Sequence, residues 1–197
     1  MTPDAEHIRA FVEDHIALVR QFVEEQAERM AGMADVLAAA LQKGGRIFLF
    51  GNGGSAADAQ HIAAEFINKM TRQRRPLAAV ALTTDSSVLT SISNDLSFDV
   101  IFSRQLEALG AAGDVAIGIT TSGNSPNVLQ GIEKAAEIGM TTITLLGRGG
   151  GQLKGKADYE ILVPGGDTPR IQEIHILAGH ILCQLVEEKF VGENQRT

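Results

Sequence analysis

Over residues 3–43 apolar side chains recur every three or four positions, at Ile8, Phe11, Val12, Ile16, Val19, Phe22 and Val23, with charged residues between them. This rhythm predicts one or two amphipathic helices closed by the Gly44-Gly45 pair. Disordered tails lack such a stripe, so the arm at residues 1–43 is expected to pack against a partner surface and to serve in oligomerisation.

From Arg46 onward the pattern changes to short apolar runs at residues 47–50, 78–82, 115–119, 142–146 and 160–163. Helical stretches separate and follow them, at about 55–71, 86–94, 100–109, 125–138 and 169–190. Strands apolar on both faces and alternating with helices describe a doubly wound α/β domain with a mainly parallel five-stranded sheet. No linker or internal repeat marks a second unit, so residues 1–197 read as one domain with a helical N-terminal arm.

Composition narrows the chemistry. The 21 glycines exceed the roughly 14 that average usage gives, so the excess needs a location. Gly51, Gly53, Gly54, Gly118 and Gly123 place much of it in or beside strand-to-helix turns. A net charge of −7 offers no bulk attraction for nucleic acid or an anionic membrane face. Any phosphate bound here must be held by local geometry. The lone Cys183 allows no internal disulfide, no leader pattern opens the chain, and no apolar run approaches a membrane span, so a cytoplasmic protein is expected.

Two turns are suited to holding a phosphate. Gly51-Asn52-Gly53-Gly54-Ser55-Ala56 follows the first strand, its glycines allowing close backbone approach and its helix presenting unpaired N–H groups. The hexapeptide also matches the dinucleotide fingerprint G-x-G-x-x-A. That reading is disfavoured because the second strand, residues 78–82, is followed by Thr83-Thr84, and the first acid after it, Asp85, lies beyond the place for a ribose. Thr120-Thr121-Ser122-Gly123-Asn124-Ser125 follows the third strand and sets four hydroxyls around a glycine, with Asn124 or Ser125 available as N-cap. Hydroxyls and amides can hold an anion without net positive charge.

The helix after the first turn carries Asp58, His61, Glu65 and Asn68 as one polar stripe. His61 and Glu65, four apart, lie on one side and suit either a surface ion pair or a shared divalent ion. The last helix is apolar at nearly every angle, yet holds Gln172, Glu173, His175, His180 and Gln184. Buried polar groups of this kind need partners. Gln172 and His180 lie about 80° apart around the axis and roughly 12 Å along it, so spacing alone leaves open whether they serve one ion.

Taken together, Gly51-Asn52-Gly53-Gly54-Ser55, Ala59-Gln60-His61-Ile62-Ala63-Ala64-Glu65, Ser93-Asn94-Asp95, Thr121-Ser122-Gly123-Asn124-Ser125 and Arg170-Ile171-Gln172-Glu173-Ile174-His175 resemble the sugar isomerase (SIS) domain. Within that family the resemblance is to the bacterial phosphoheptose isomerases, and it runs in order over nearly the whole chain, helical arm included. It implies a flavodoxin-like fold and an aldose–ketose isomerase converting D-sedoheptulose 7-phosphate to D-glycero-D-manno-heptose 7-phosphate through an enediol, toward the ADP-heptose of lipopolysaccharide core. It also implies a homotetramer with active sites between subunits, and one zinc ion per subunit on His61, Glu65, Gln172 and His180. The substrate contacts it implies are Asn52, Gly53, Gly54, Ser55, Glu65, Asn94, Asp95, Thr120, Thr121, Ser122, Ser125 and Gln172, with Glu65 as catalytic base and His180 as catalytic acid.

One departure concerns Pro169, where close family members carry an aspartate before the Arg-Ile-Gln-Glu stretch; Asp167 lies two residues earlier. Pro169 suits a helix start behind a Thr168 cap. A rival within the same fold is a non-catalytic SIS protein that binds a replication initiator. That relative lacks the glutamate and histidine matching Glu65 and His180, and this chain has both.

Overall fold

The arm is a single unbroken helix, α1 (Pro3–Gln42), in the computed structural model, which describes residues 2–191. Thr2 caps it, the hydroxyl accepting from the Ala5 N–H, and Pro3 starts it where a missing N–H costs nothing. From Phe22 to Leu41 its apolar stripe is buried. The first half is not, for Ile8 and Phe11 are each 61% exposed.

The remaining elements are β1 (Ile47–Gly51), α2 (Gly54–Ile67), β2 (Ala79–Ala81), α3 (Ser86–Asp95), α4 (Ile101–Leu109), β3 (Val115–Thr120), α5 (Pro126–Ile138), β4 (Thr141–Leu146), β5 (Tyr159–Leu162) and α6 (Thr168–Phe190). All five strands pair in parallel, in the order β2-β1-β3-β4-β5. That is the flavodoxin-like order, in which the direction of sheet growth reverses between β1 and β3. The crevice opened at their carboxyl ends is the place where such sheets bind ligands. The two turns singled out in the sequence lie at its mouth.

Strand alternation sorts the core into two layers. Ile47 and Leu49 face a core shared with α1, α2 and α6, whereas Phe48 and Phe50 face one shared with α4 and α5. Helices α2 and α6 approach closely at Gly179, where a Cβ would fall on the Ile62 side chain. One turn further along α6, the thiol of Cys183 faces the Ile62 carbonyl; burial pushes that thiol up to about 12.

Two helix ends differ from the pattern-based expectation. The α6 N-cap is Asp167 rather than Thr168, its carboxylate accepting from the Arg170 N–H. An aspartate caps as well as a threonine, and it puts Pro169 in the second helical position. Helix α2 stops at Ile67, four residues short of its expected end. There the Arg74 guanidinium takes the carbonyls of Glu65, Phe66 and Asn68, and Glu187 draws the amides of Met70, Thr71 and Arg72 out of helical register. Among the described residues, no helix is long and apolar enough to cross a membrane.

Candidate active site

The β1 turn brings Asn52, Gly53, Gly54 and Ser55 to the start of α2, and the β3 turn brings Thr120 to Ser125 to the start of α5. A reciprocal amide pair joins the two turns: Asn52 Nδ2 donates to Asn127 Oδ1 and Asn127 Nδ2 donates to Asn52 Oδ1, both at 2.9 Å. Asn127 is 1% exposed, so the pair is a fixed strut. Within the β3 turn the Thr120 hydroxyl lies 3.0 Å from that of Ser125 and 3.3 Å from that of Ser122, and Ser122 Oγ accepts from the Asn124 N–H. Ser125 occupies the N-cap position of α5, with its hydroxyl turned to Thr120 rather than to the helix amides. The result is a tight cluster of hydroxyls at a helix N-terminus, a neutral cradle of the kind that accepts a phosphate.

The Gly147 to Gly151 segment closes over this cradle. Gly123, at φ +66°, lies so close to Gly150 that a Cβ would fall on the Gly150 carbonyl oxygen. Gln152 N–H donates to Asn124 Oδ1 and Leu153 N–H to the Gly123 carbonyl.

Further along α2, that helix meets α6. His61 Nε2 lies 2.8 Å from His180 Nε2, with the rings edge to face at 5.0 Å, and 3.6 Å from Glu65 Oε1. Residues 119 apart in sequence thus converge on the i, i+4 pair foreseen from helical spacing. Gln172 lies about two turns N-terminal to Gly179, which faces Ile62. Its side chain rests on Gly54, where a Cβ would fall on the amide, and lies beside the Asp58 carboxyl. Burial raises the Asp58 carboxyl above its ordinary value, opposed by the nearby Gln172 amide and His61.

Of the residues expected at the site, the structure therefore groups Asn52, Gly53, Gly54, Ser55 and Gln172, groups Thr120, Thr121, Ser122 and Ser125, and groups His61, Glu65 and His180. Asn94 and Asp95 stand apart at the exposed end of α3, where Asn94 Nδ2 donates to Asp95 Oδ1. Two further residues belong to the site by contact, Asp58 under Gln172 and Asn127 under Asn52. Asp58 is already on the polar stripe of α2, and its burial is what spacing does not show. Asn127, two residues past the hydroxyl run, carries no sequence mark of its role.

The chain is similar to known proteins over most of its length. Residues 10–147 match the SIS domain. A phosphoheptose isomerase of Aquifex aeolicus is 56% identical over 167 residues, 85% of this chain and 87% of that protein. One of Desulfovibrio desulfuricans is 53% identical over 180 residues, 91% of this chain and 86% of that protein. The structure of the phosphoheptose isomerase from Neisseria gonorrhoeae superposes with a TM-score of 0.88 at 42% identity, covering 93% of this chain and 98% of that one. That from Francisella tularensis superposes at 0.91 and 34% identity, covering 95% and 100%. The chain belongs to the SIS domain family and, within it, to the phosphoheptose isomerases.

Proposed function

We propose that this protein interconverts D-sedoheptulose 7-phosphate and D-glycero-D-manno-heptose 7-phosphate, the step toward ADP-heptose implied by its family. The observation that carries the reading is the convergence of His61 and Glu65 of α2 with His180 of α6, in a chain that also builds a neutral hydroxyl cradle at its β3 turn. Moving a carbonyl from C2 to C1 requires a base that removes the C1 proton and returns one to C2, and a group that exchanges protons with the two oxygens. Glu65 serves as the base and His180 as the oxygen-side acid, while Thr120, Thr121, Ser122 and Ser125 hold the phosphate. Asn52, Gly53, Gly54 and Gln172 line the sugar's path between cradle and base, and Asn94 and Asp95 complete the substrate contacts.

The chemistry of the donor set also suits a zinc ion. Two imidazoles and a carboxylate form a common catalytic zinc set, and here His61 Nε2 approaches both partners within 3.6 Å. Among the described residues no group of three or more His, Cys, Asp or Glu side chains stands in an arrangement that could hold a metal ion, so the chemistry of the donors rather than their spacing supports the assignment. We assign the ion to His61, Glu65 and His180, with the carbonyl of Gln172 as fourth donor. Bound there, zinc would polarise the carbonyl or hold the enediol oxygens. Glu65 cannot be a tight ligand and a free base at once, so weak or exchanging metal is expected.

We further infer a cytoplasmic homotetramer, with α1 among its contacts. Ile8, Phe11, Val12 and Ile16 form an uncovered apolar stripe on α1, and burying it against other copies removes that surface from water. Light scattering of the purified protein gives the assembly size directly. The reading of function is tested with sedoheptulose 7-phosphate in deuterated water. The isomerase incorporates deuterium at C1 or C2 and accumulates the aldose; no exchange at enzyme-level concentrations, with or without added zinc, overturns it.

A further inference from the structure

We propose that the buried Arg74–Glu187 pair is a positioning device of the active site, fixing the backbone that carries Glu65 against the helix that carries His180. The proposal rests on the acid–base assignment of those two residues. Arg74 and Glu187 side chains are each 1% exposed, with Arg74 Nε 3.4 Å from Glu187 Oε1. An ion pair this deep is weak evidence of stability, since its desolvation can cancel its attraction. Its hydrogen bonds show what it organises.

Arg74 Nη2 donates to the carbonyl of Glu65 itself at 2.7 Å, and Nη1 to those of Phe66 at 2.9 Å, Asn68 at 3.3 Å and Arg75 at 3.0 Å. Glu65 stands in the last turn of α2, where carbonyls have no intrahelical donor and the helix dipole is negative. A planar guanidinium satisfies several of them at once and fixes the terminal turn from which Glu65 projects. Glu187 accepts from the N–H groups of Met70, Thr71 and Arg72 and from the Thr71 hydroxyl, at 2.8 to 2.9 Å. Burial alone would raise its carboxyl, but these donors together hold it below the usual carboxylate range.

Glu187 follows His180 by seven residues, two turns along the same face of α6, about 10 Å away at 1.5 Å per residue. Helix α2 and the segment that follows it thus meet α6 at three points: His61 on His180, Ile62 on Gly179, and, seven residues past the end of α2, Arg74 on Glu187. The first lies in the site and cannot set its own geometry. The middle contact is apolar and tolerates sliding. The ionic contact, held by directional bonds at the base's own carbonyl, sets how far α2 turns and slides against α6.

The test compares wild type with Glu187→Gln and Arg74→Lys in steady-state turnover, with circular dichroism and light scattering as checks of fold and assembly. Gln keeps the size of Glu187 but not its charge. Lys keeps the charge of Arg74 but cannot span four carbonyls. The expected result is folded protein of native size, KM within threefold of wild type and kcat lower by about 10- to 100-fold, the scale of a misplaced catalytic group. A folded variant of either kind with kcat within twofold of wild type overturns the proposal. So does a loss that scales only with the fraction of protein folded. Thr71→Val removes one donor to Glu187 from an exposed residue and keeps the fold; should neither other variant fold, a two- to fivefold lower kcat at unchanged KM supports the proposal, and wild-type kcat overturns it. Wild-type activity and its loss in Glu65→Gln are measured first, so failure of the acid–base assignment is read there and not in the clamp variants.

Discussion

Asn52 and Asn127, 75 residues apart, hold each other through two 2.9 Å amide bonds and so fix the β1 turn to the β3 turn. Asn127→Ala leaves the Asn52 amide without its partner, at a cost of about 1–3 kcal/mol. Because the pair lies between the sugar-side turn and the phosphate cradle, that cost is expected in substrate binding. KM for the sugar phosphate should rise about tenfold, with kcat less affected. Unchanged KM would show that Asn52 is held in place by other contacts.

His61 and His180 meet at 2.8 Å, a distance at which one ring nitrogen donates and the other accepts. Glu65→Gln and His180→Gln each remove a proton-transfer group while keeping the helix intact, so kcat should fall by about 10²-fold or more, the usual scale for such groups. His61→Ala acts differently. It should abolish zinc binding in a calorimetric titration, because Glu65 and His180 both meet at His61. Zinc affinity equal to that of the wild type in this variant would remove His61 from the metal set.

Gly54 and Gly123 both exclude a side chain, but against different obstacles. At Gly54 a Cβ meets the movable amide of Gln172, whereas at Gly123 it meets the backbone of Gly150 with φ at +66°. Gly54→Ala should therefore fold normally and lose activity by displacing Gln172. Gly123→Ala should lose stability by roughly 1–3 kcal/mol from backbone strain alone, with further loss from the clash. Urea unfolding of the two variants beside their kcat/KM separates the cases, and equal stability would refute the distinction.

What could be read in the chain depended on the distance over which each contact acts. The strand runs, the Gly51 and Thr120 turns and the His61–Glu65 pair follow from period, turn chemistry and one helical turn, all local properties of sequence. The meeting of His61 with His180 needed the packing of α2 on α6, which Gly179 permits and no spacing encodes. Asp58 was visible as a polar position, but its burial under Gln172 was not. The end of α2 was misplaced for a related reason. Residues 68–71 have the composition to continue a helix, and only Arg74 and the distant Glu187 stop them.

His175 supplies the pH dependence of stability. It is fully buried on α6, and neither ring nitrogen has a hydrogen-bond partner in good geometry. Burial pushes its pKa from 6.5 down to about 4, and the Leu146 backbone beside it offsets this only in part. The imidazole is neutral in the folded protein, and the unfolded chain binds the extra proton between pH 6.5 and 4. Stability is therefore complete above about pH 6.5 and falls as pH drops toward 4, by about 3 kcal/mol at roughly 1.4 kcal/mol per unit. Asp58, raised by burial, acts in the opposite sense over acidic pH, and Glu187, held low, acts in the same sense. Subtracting the urea-unfolding free energy of His175→Leu from that of wild type at each pH cancels both. The variant should be at least as stable as wild type at pH 7.5, because it buries no unpaired ring nitrogen. Its advantage should widen steadily down to pH 4.5; a difference that stays constant with pH would mean that His175 is protonated alike in folded and unfolded chains.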